Sequence, residues 1–410
     1  MMEFGELRSR LMQRQDSGSW ALVRAWAEQA WDEQPERFED EWLPYLVDQV
    51  RRWRPRVCDC PGHWKRRLAA GRFAPMQLVR ALHFQADEPR RAEVLAAMAT
   101  SPDLTSIETL SFGGGAFVGA SHEGVHLAQA SLPSLRTLEV PGAFLGSGRG
   151  RLETLGEASW LGQVARLDIS GCEVGSGALG RLWNAGLGAS LVELVAAGLT
   201  GEVAGAFAQV LARAPRLERL DWRRSALDMR GLEGLRGAAQ LRELSLDGAR
   251  LREAEVGALC AAALPELRSL TLMHAGLTPP QGARVLEWAS SCANLRVLNL
   301  ADNELDAGAL VGLGALSGLR VLVLSYNPIR DEGARRIGEV AWTQLSALGV
   351  EGCVLSVDAM EAMLRTEGLR GIKTFAWYDN RVMVAAELEY MRGLLKARGA
   401  GVLQPIRYLI

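Results

Sequence analysis

With 410 residues, 48% of them hydrophobic and 23% charged, the chain has ample material for packed cores and is too apolar to be disordered. Its formal charge of −2 argues against a dedicated polyanion binder, and no apolar run reaches the length of a membrane-spanning helix. Six cysteines in so long a chain make no disulfide framework, so a reducing, cytoplasmic setting is expected.

The first segment, 1–70, differs from the rest. Met1 to Gln15 is charged and has no continuous apolar stretch, so no signal peptide is expected. Six of the twelve tryptophans fall here: Trp20, Trp26, Trp31, Trp42, Trp53 and Trp64. Trp20, Val23 and Ala27 share one helical face, and Trp42, Leu46 and Trp53 share another. The segment reads as a helical N-terminal cap, or alternatively as a docking module that presents its indoles to a partner. Cys58-Asp-Cys60-Pro-Gly-His63 offers three soft ligands, but C-x-C is tighter than zinc knuckles use and a fourth ligand is missing, so no metal is assigned. Arg51, Arg52, Arg54, Arg56, Lys65, Arg66 and Arg67 put seven cations within 17 residues beside Trp53 and Trp64. Such a mixture can track a nucleic-acid backbone. The acidic stretch from Glu28 to Asp48 can equally neutralise it across a helical hairpin.

From residue 79 a phrase recurs twelve times: apolar, two variable, apolar, one variable, apolar. It starts at Val79, Ile107, Leu135, Val164, Leu191, Leu217, Leu241, Leu267, Leu295, Leu319, Leu345 and Ile372, at intervals of 24 to 29 residues. The clearest copies are Leu295-Arg-Val-Leu298-Asn-Leu300-Ala-Asp-Asn303-Glu-Leu305 and Leu319-Arg-Val-Leu322-Val-Leu324-Ser-Tyr-Asn327-Pro-Ile329. Ten copies keep an apolar eleventh residue: Phe117, Leu145, Val174, Leu227, Leu251, Leu277, Leu305, Ile329, Leu355 and Val382. Their ninth residue is small or an amide: Gly115, Ala143, Cys172, Ser225, Ala249, Ala275, Asn303, Asn327, Cys353 and Asn380. The copy at Val79 lacks the eleventh apolar residue, and the turn after Leu194 is about two residues short. A period of this length means a stacked solenoid of about 12 units over 71–382.

Within the repeats, His122-Glu123-Gly124-Val125-His126 matches H-E-x-x-H, a spacing that can hold zinc on a helix. Asp331-Glu332-Gly333-Ala334-Arg335 and Pro280-Gln281-Gly282-Ala283-Arg284 occupy the same place in other copies, so Glu123 and Gly124 read as ordinary repeat residues. Gly113-Gly114-Gly115 lacks the Lys-Ser/Thr of a phosphate loop and reads as a repeat turn. The second half of most copies looks helical. Thr278-Pro279-Pro280-Gln281 is a capping box with prolines in the first turn, followed by Ala283, Leu286 and Ala289 at helical spacing. Asp306, Asp331 and Ser356 are similar N-cap candidates. The shorter copies at Leu217 and Leu295 leave room only for abbreviated helices. Met383 to Arg398 reads as a closing helix within a C-terminal segment 383–410, and Gly401 to Ile410 as a short apolar tail.

Strand plus helix in units of this length resembles the leucine-rich repeats of the ribonuclease-inhibitor class. The Trp-rich start with Ala/Arg/Gly-rich repeats is similar to cytoplasmic bacterial members. The resemblance covers about three quarters of the chain. It implies an α/β leucine-rich-repeat solenoid with parallel β-strands on a concave face and helices on a convex one. In this class an inward Asn or Cys at the ninth position bonds the backbone of neighbouring turns.

The third, fifth and seventh residues of each phrase point away from the core, onto the concave sheet. The central copies put Arg166, Asp168, Glu193, Arg219, Asp221, Arg223, Glu243, Ser245 and Asp247 there. Later copies put Thr271, Met273, Val297, Asn299, Val321, Val323, Ser325, Thr374 and Tyr378 there. Mixed charge gives orientation and on-rate, and an adjacent apolar stretch gives contact area. The Arg/Lys series at the second position (Arg136, Arg242, Arg268, Arg296, Arg320, Lys373) reads as a solvated edge. The expected function is a non-enzymatic scaffold that holds a partner protein on the concave face, with no cofactor and no membrane role. A regulator of the GTPase-activating type for a small GTPase is the alternative, and nucleic-acid binding through 51–67 a third.

Overall fold

The computed structural model describes residues 2–11, 15–85, 87–113, 123–142, 144–145, 152–174, 177–201, 203, 205–227, 229–381, 385–397 and 399–400. Gly115, Phe117, His122, Ala143, Val382, Met383, Arg398 and Gly401 to Ile410 lie outside the described residues. The chain packs as two compact units. One comprises Met1–Val195, Leu199–Glu202 and Arg213–Arg216; the other comprises Ala196–Gly198, Val203–Ala212 and Leu217–Ile410. The division falls at the repeat whose turn is short.

The first unit opens with helices over Phe4–Leu11, Ser17–Glu33, Leu43–Val50 and Gly62–Ala70, with a π-helical turn at Phe38–Trp42. The apolar spacing explains their packing: Trp20, Val23 and Ala27 are buried on one face and Trp42 and Leu46 on another, while Trp53, expected on that second face, is buried in the turn after the helix ends at Val50. Trp26 and Trp42 meet edge-on with centroids 5.0 Å apart, and Trp64 meets Phe73 at 5.2 Å. Such contacts add to area burial by about 0.5–1.5 kcal/mol each. The helical segment is stitched to the first strand, Ala81–Phe84. The Cys60 amide donates to Ala81, the Arg80 amide donates to Cys58, and the buried Arg80 guanidinium reaches the carbonyls of Val50 and Trp53.

Beyond it the strands Thr109–Phe112, Thr137–Glu139, Arg166–Asp168 and Glu193–Val195 pair in parallel, each phrase in register with the next. Three two-residue strands, Phe144–Leu145, Glu173–Val174 and Thr200–Gly201, form a second small parallel sheet. In the second unit, Arg219–Asp221, Glu243–Ser245, Ser269–Thr271, Val297–Asn299, Val321–Val323, Ala347–Gly349 and Thr374–Ala376 pair in parallel and in register. Mixed α/β architecture with parallel in-register strands is what the repeat phrase dictates.

Each unit's core is built from the first, fourth and sixth residues of the phrase. Leu295, Leu298 and Leu300, and Leu319, Leu322 and Leu324, are buried in successive repeats of the second unit. Each fully buried Leu stabilises by about 1.5–3 kcal/mol. Helices return between strands: Glu253–Cys260, Pro279–Ser290, Arg330–Glu339, Val357–Leu364 and finally Ala385–Ala397. The short copies do carry abbreviated helices, Met229–Gly234 at Leu217 and a 3₁₀ turn over Gly308–Leu316 at Leu295.

Helix starts follow the caps read from the sequence at three places. Thr278 and Gln281 form the reciprocal capping box; the Ala359 amide donates to the Ser356 hydroxyl and the Ala309 amide to the Asp306 carboxylate. Asp331 is a correction: its helix begins earlier, at Arg330, and the Asp331 carboxylate instead accepts from the Ser356 amide of the next repeat at 2.7 Å.

Candidate interaction surface

The ninth-position residues hold the strand ends in place. Asn303 Nδ2 donates to the carbonyls of Leu272, Leu300 and Ala301, while its oxygen accepts from the amides of Ala275 and Leu277. Asn327 repeats the arrangement on Leu300, Leu324 and Leu305, and Asn380 on Val350, Trp377, Cys353 and Leu355. The Cys172 and Cys353 thiols donate to Val140 and Leu324, and the Ser225 hydroxyl to Ala196. Each rung borrows backbone from a neighbouring repeat, as the resemblance implies.

One residue before that rung the backbone turns left-handed. Gly142, Gly171 and Gly198 take positive φ in the first three such turns, and Arg224, Gly248, His274, Asp302, Tyr326, Gly352 and Asp379 in the next seven. Side chains in this conformation cost energy that glycine avoids. They stand along the edge of the sheet: His274 pairs with Asp302 at 2.9 Å, and the Tyr326 hydroxyl donates to Asp379 at 2.8 Å. This row was missed from the sequence, because only half its members are glycine.

The outward sheet face of the first unit is charged and internally paired. Arg166 stands 2.9 Å from Glu193 and 3.9 Å from Glu139. In the second unit Arg219 pairs with Glu243 at 3.0 Å with both side chains half exposed. Arg223 grips Asp221 through two nitrogens, which raises the guanidinium pKa further. Asp247 is buried; burial pushes its carboxyl above the ordinary range, although the Met273 amide donates to it. Ser245 accepts from Thr271 at 2.7 Å.

Several of these residues also serve the backbone. Asp168, Asp221 and Asn299 each accept from the amide two residues on, at Ser170, Arg223 and Ala301, which closes the strand end as an Asx turn.

The expected apolar stretch is partly corrected. Val323 is fully buried and Asn299 is 2% exposed, so neither is an accessible contact. Val323 packs with Ala301 and Ala376 into a small second core, with Met273, Val321 and Ala347 half-buried against it. Small residues around it, Ala301 just past the preceding strand, Gly349 on the next strand and Ala376 on the one beyond, let the branched side chain sink among its neighbours. Ser325 and Glu351 are buried beside them, joined by a hydrogen bond. Met273, Val297, Val321 and Tyr378 remain partly accessible.

Three sequence motifs resolve into structural contacts. Glu123 is buried and ion-paired with Arg91 at 3.1 Å, which occupies the carboxylate that a zinc peptidase uses as base. Cys58 and Cys60 are buried, and burial pushes the Cys58 thiol up to about 12, whereas His63 is exposed and turned to Glu28 at 3.0 Å. In the basic segment, Arg52 pairs with Asp48, Arg67 with Asp32 and Glu28, and the buried Lys65 with Glu88. Among the described residues no helix is long and apolar enough to cross a membrane.

Residues 291–314 and 318–338 match the family model described as Leucine Rich repeat. No curated protein sequence matches the chain. Among solved structures, TLR13 in its complex with ssRNA13 is similar at 18% identity and a TM-score of 0.46, over 75% of this chain and 47% of that one. The mouse RP105/MD-1 complex is similar at 14% identity and a TM-score of 0.49, over 80% of this chain and 54% of that one. The chain thus spans about half the length of these structures.

Proposed function

We propose that this leucine-rich-repeat chain is a non-enzymatic scaffold that holds a partner protein against the outward face of its parallel strands. The observation that carries the reading is the pairing register of the second unit. It aligns Arg219, Glu243, Ser269, Val297, Val321 and Thr374 on one sheet face, with the half-exposed Arg223 and the partly accessible Met273 and Tyr378 four residues further along their phrases. A charged patch beside an apolar one is the composition of a protein interface. The mutual pairing of the charges fixes their geometry before a partner arrives, which lowers the ordering cost of binding.

The buried indoles at the start, with Trp20 donating to the Asp59 carbonyl, favour a cap for the first strand over a docking module. Six cysteines with no disulfide among them suit a reducing compartment, in keeping with a cytoplasmic role.

Affinity capture on the full-length chain, read by mass spectrometry, tests the reading against two triple variants. Arg219→Ala/Asp221→Ala/Arg223→Ala and Met273→Ala/Val297→Ala/Val321→Ala are each expected to lose the stoichiometric partner while still melting cooperatively. A partner retained at parental level by both variants rules the sheet face out.

A further inference from the structure

The second unit carries a charged feature that the sheet face does not use. The backbone amide of Arg268 donates to the carbonyl of Arg242 at 2.8 Å, Arg296 to Arg268 at 2.9 Å and Arg320 to Arg296 at 2.7 Å. The row continues through Ser346, bonded to Arg320, and Lys373, bonded to Ser346. These second-position residues therefore stand on adjacent strands at the entry edge of the sheet. With strands about 4.8 Å apart, four arginines rise within about 15 Å.

Like charges directly opposite one another destabilise a sheet, so the column calls for counter-charge. Glu218 supplies it to Arg242 at 2.9 Å. Among the described residues no carboxylate forms an ion pair with Arg268, Arg296, Arg320 or Lys373. Arg296 donates only to the carbonyls of Ala293 and Leu295, and Arg320 to the neutral Gln344 amide. Arg268, Arg320 and Lys373 are exposed. On the helix Arg330–Glu339, by contrast, Arg335 and Arg336 share Glu332, whose carboxyl they hold down at about 2.

We propose that Arg268, Arg296, Arg320 and Lys373 form a second docking edge, separate from the sheet face, that takes an acidic protein segment. Guanidinium groups match carboxylates two bonds at a time, which suits Arg at a recognition edge. Acidic protein is favoured over single-stranded nucleic acid because stacking on aromatic rings is the usual grip on bases. The one large aromatic among the exposed large hydrophobics of the described residues is Tyr390, on the closing helix.

The test is fluorescence anisotropy of a labelled deca-glutamate peptide with the full-length protein. Saturable binding is expected at 50 mM salt, weakening at least tenfold by 300 mM as charges are screened. Arg268→Gln/Arg296→Gln/Arg320→Gln is expected to weaken it at least tenfold, whereas Arg335→Gln/Arg336→Gln keeps it within twofold. The first variant is also expected to melt no lower than the parent at 50 mM salt, because it removes a like-charge column. Should that variant fail to melt cooperatively, the single Arg268→Gln is expected to weaken binding about threefold. The proposal is overturned by absence of binding at 50 mM salt, by unchanged affinity in the arginine variants, or by a ten-residue oligo-dT binding as tightly as the peptide.

Discussion

Asn303 meets five backbone groups drawn from two repeats, two amides and three carbonyls. A buried donor left unpaired costs about 1–3 kcal/mol, so Asn303→Ala is expected to cost about 2–4 kcal/mol. The measurement is a urea midpoint together with amide exchange, in which the Ala275 and Leu277 amides should lose protection ahead of the rest. An unchanged midpoint with both amides still protected would show that water fills the rung at no cost. The ninth position was legible in the sequence as a recurring small or amide residue, and its bonding role was implied by the resemblance to leucine-rich repeats. The fifth-position residues were less legible. Asp168, Asp221 and Asn299 sit at alternating strand positions that point outward, and alternation says nothing about a side chain folding back onto the amide two residues later. Val323 differs for a related reason: it lies on the outward face, but its burial is decided by Ala301 and Ala376 in other repeats.

Among elements, the turn that leaves each strand shows the sharpest constraint. Gly352 takes φ +60, and a Cβ there would stand 2.5 Å from the Tyr326 ring. Left-handed backbone costs an L-residue about 1–2 kcal/mol, and the ring adds a steric term. Gly352→Ala is therefore expected to destabilise by at least about 2 kcal/mol in urea melts, with the Tyr326–Asp379 bond weakened. The equivalent change at Gly276, which also has positive φ but open space around it, should cost only the backbone part. Helix starts were mostly legible from their caps: Thr278, Asp306 and Ser356 all accept amides as their side chains imply. Asp331 was not, since the amide it serves belongs to the next repeat rather than to its own helix. The turn row escaped notice because Arg224, His274, Asp302, Tyr326 and Asp379 share no side-chain chemistry, only a backbone conformation.

At the scale of the molecule, thiol chemistry separates the structural reading of the cysteines from a metal or redox one. Burial pushes the thiols of Cys58 and Cys353 up to about 12 and that of the half-buried Cys260 to about 11. Since the thiolate is the reactive form, iodoacetamide at pH 8 is expected to reach no more than Cys260 in the folded chain and all six cysteines after denaturation. Rapid native labelling of Cys58 or Cys60 would contradict their burial. The repeat period made the two-layer logic of strand and helix readable over three quarters of the chain. The division into two compact units was marked only by one shortened turn, after Leu194. Tyr326 has a further consequence. Its hydroxyl reaches over Gly352 to Asp379, two repeats on. Most rungs look one neighbour away, so a ladder built of them alone has no means of numbering its members. A bond that skips a member counts. It spans the repeat that starts at Leu345, so excising or duplicating that repeat is expected to separate Tyr326 from Asp379 and break the bond.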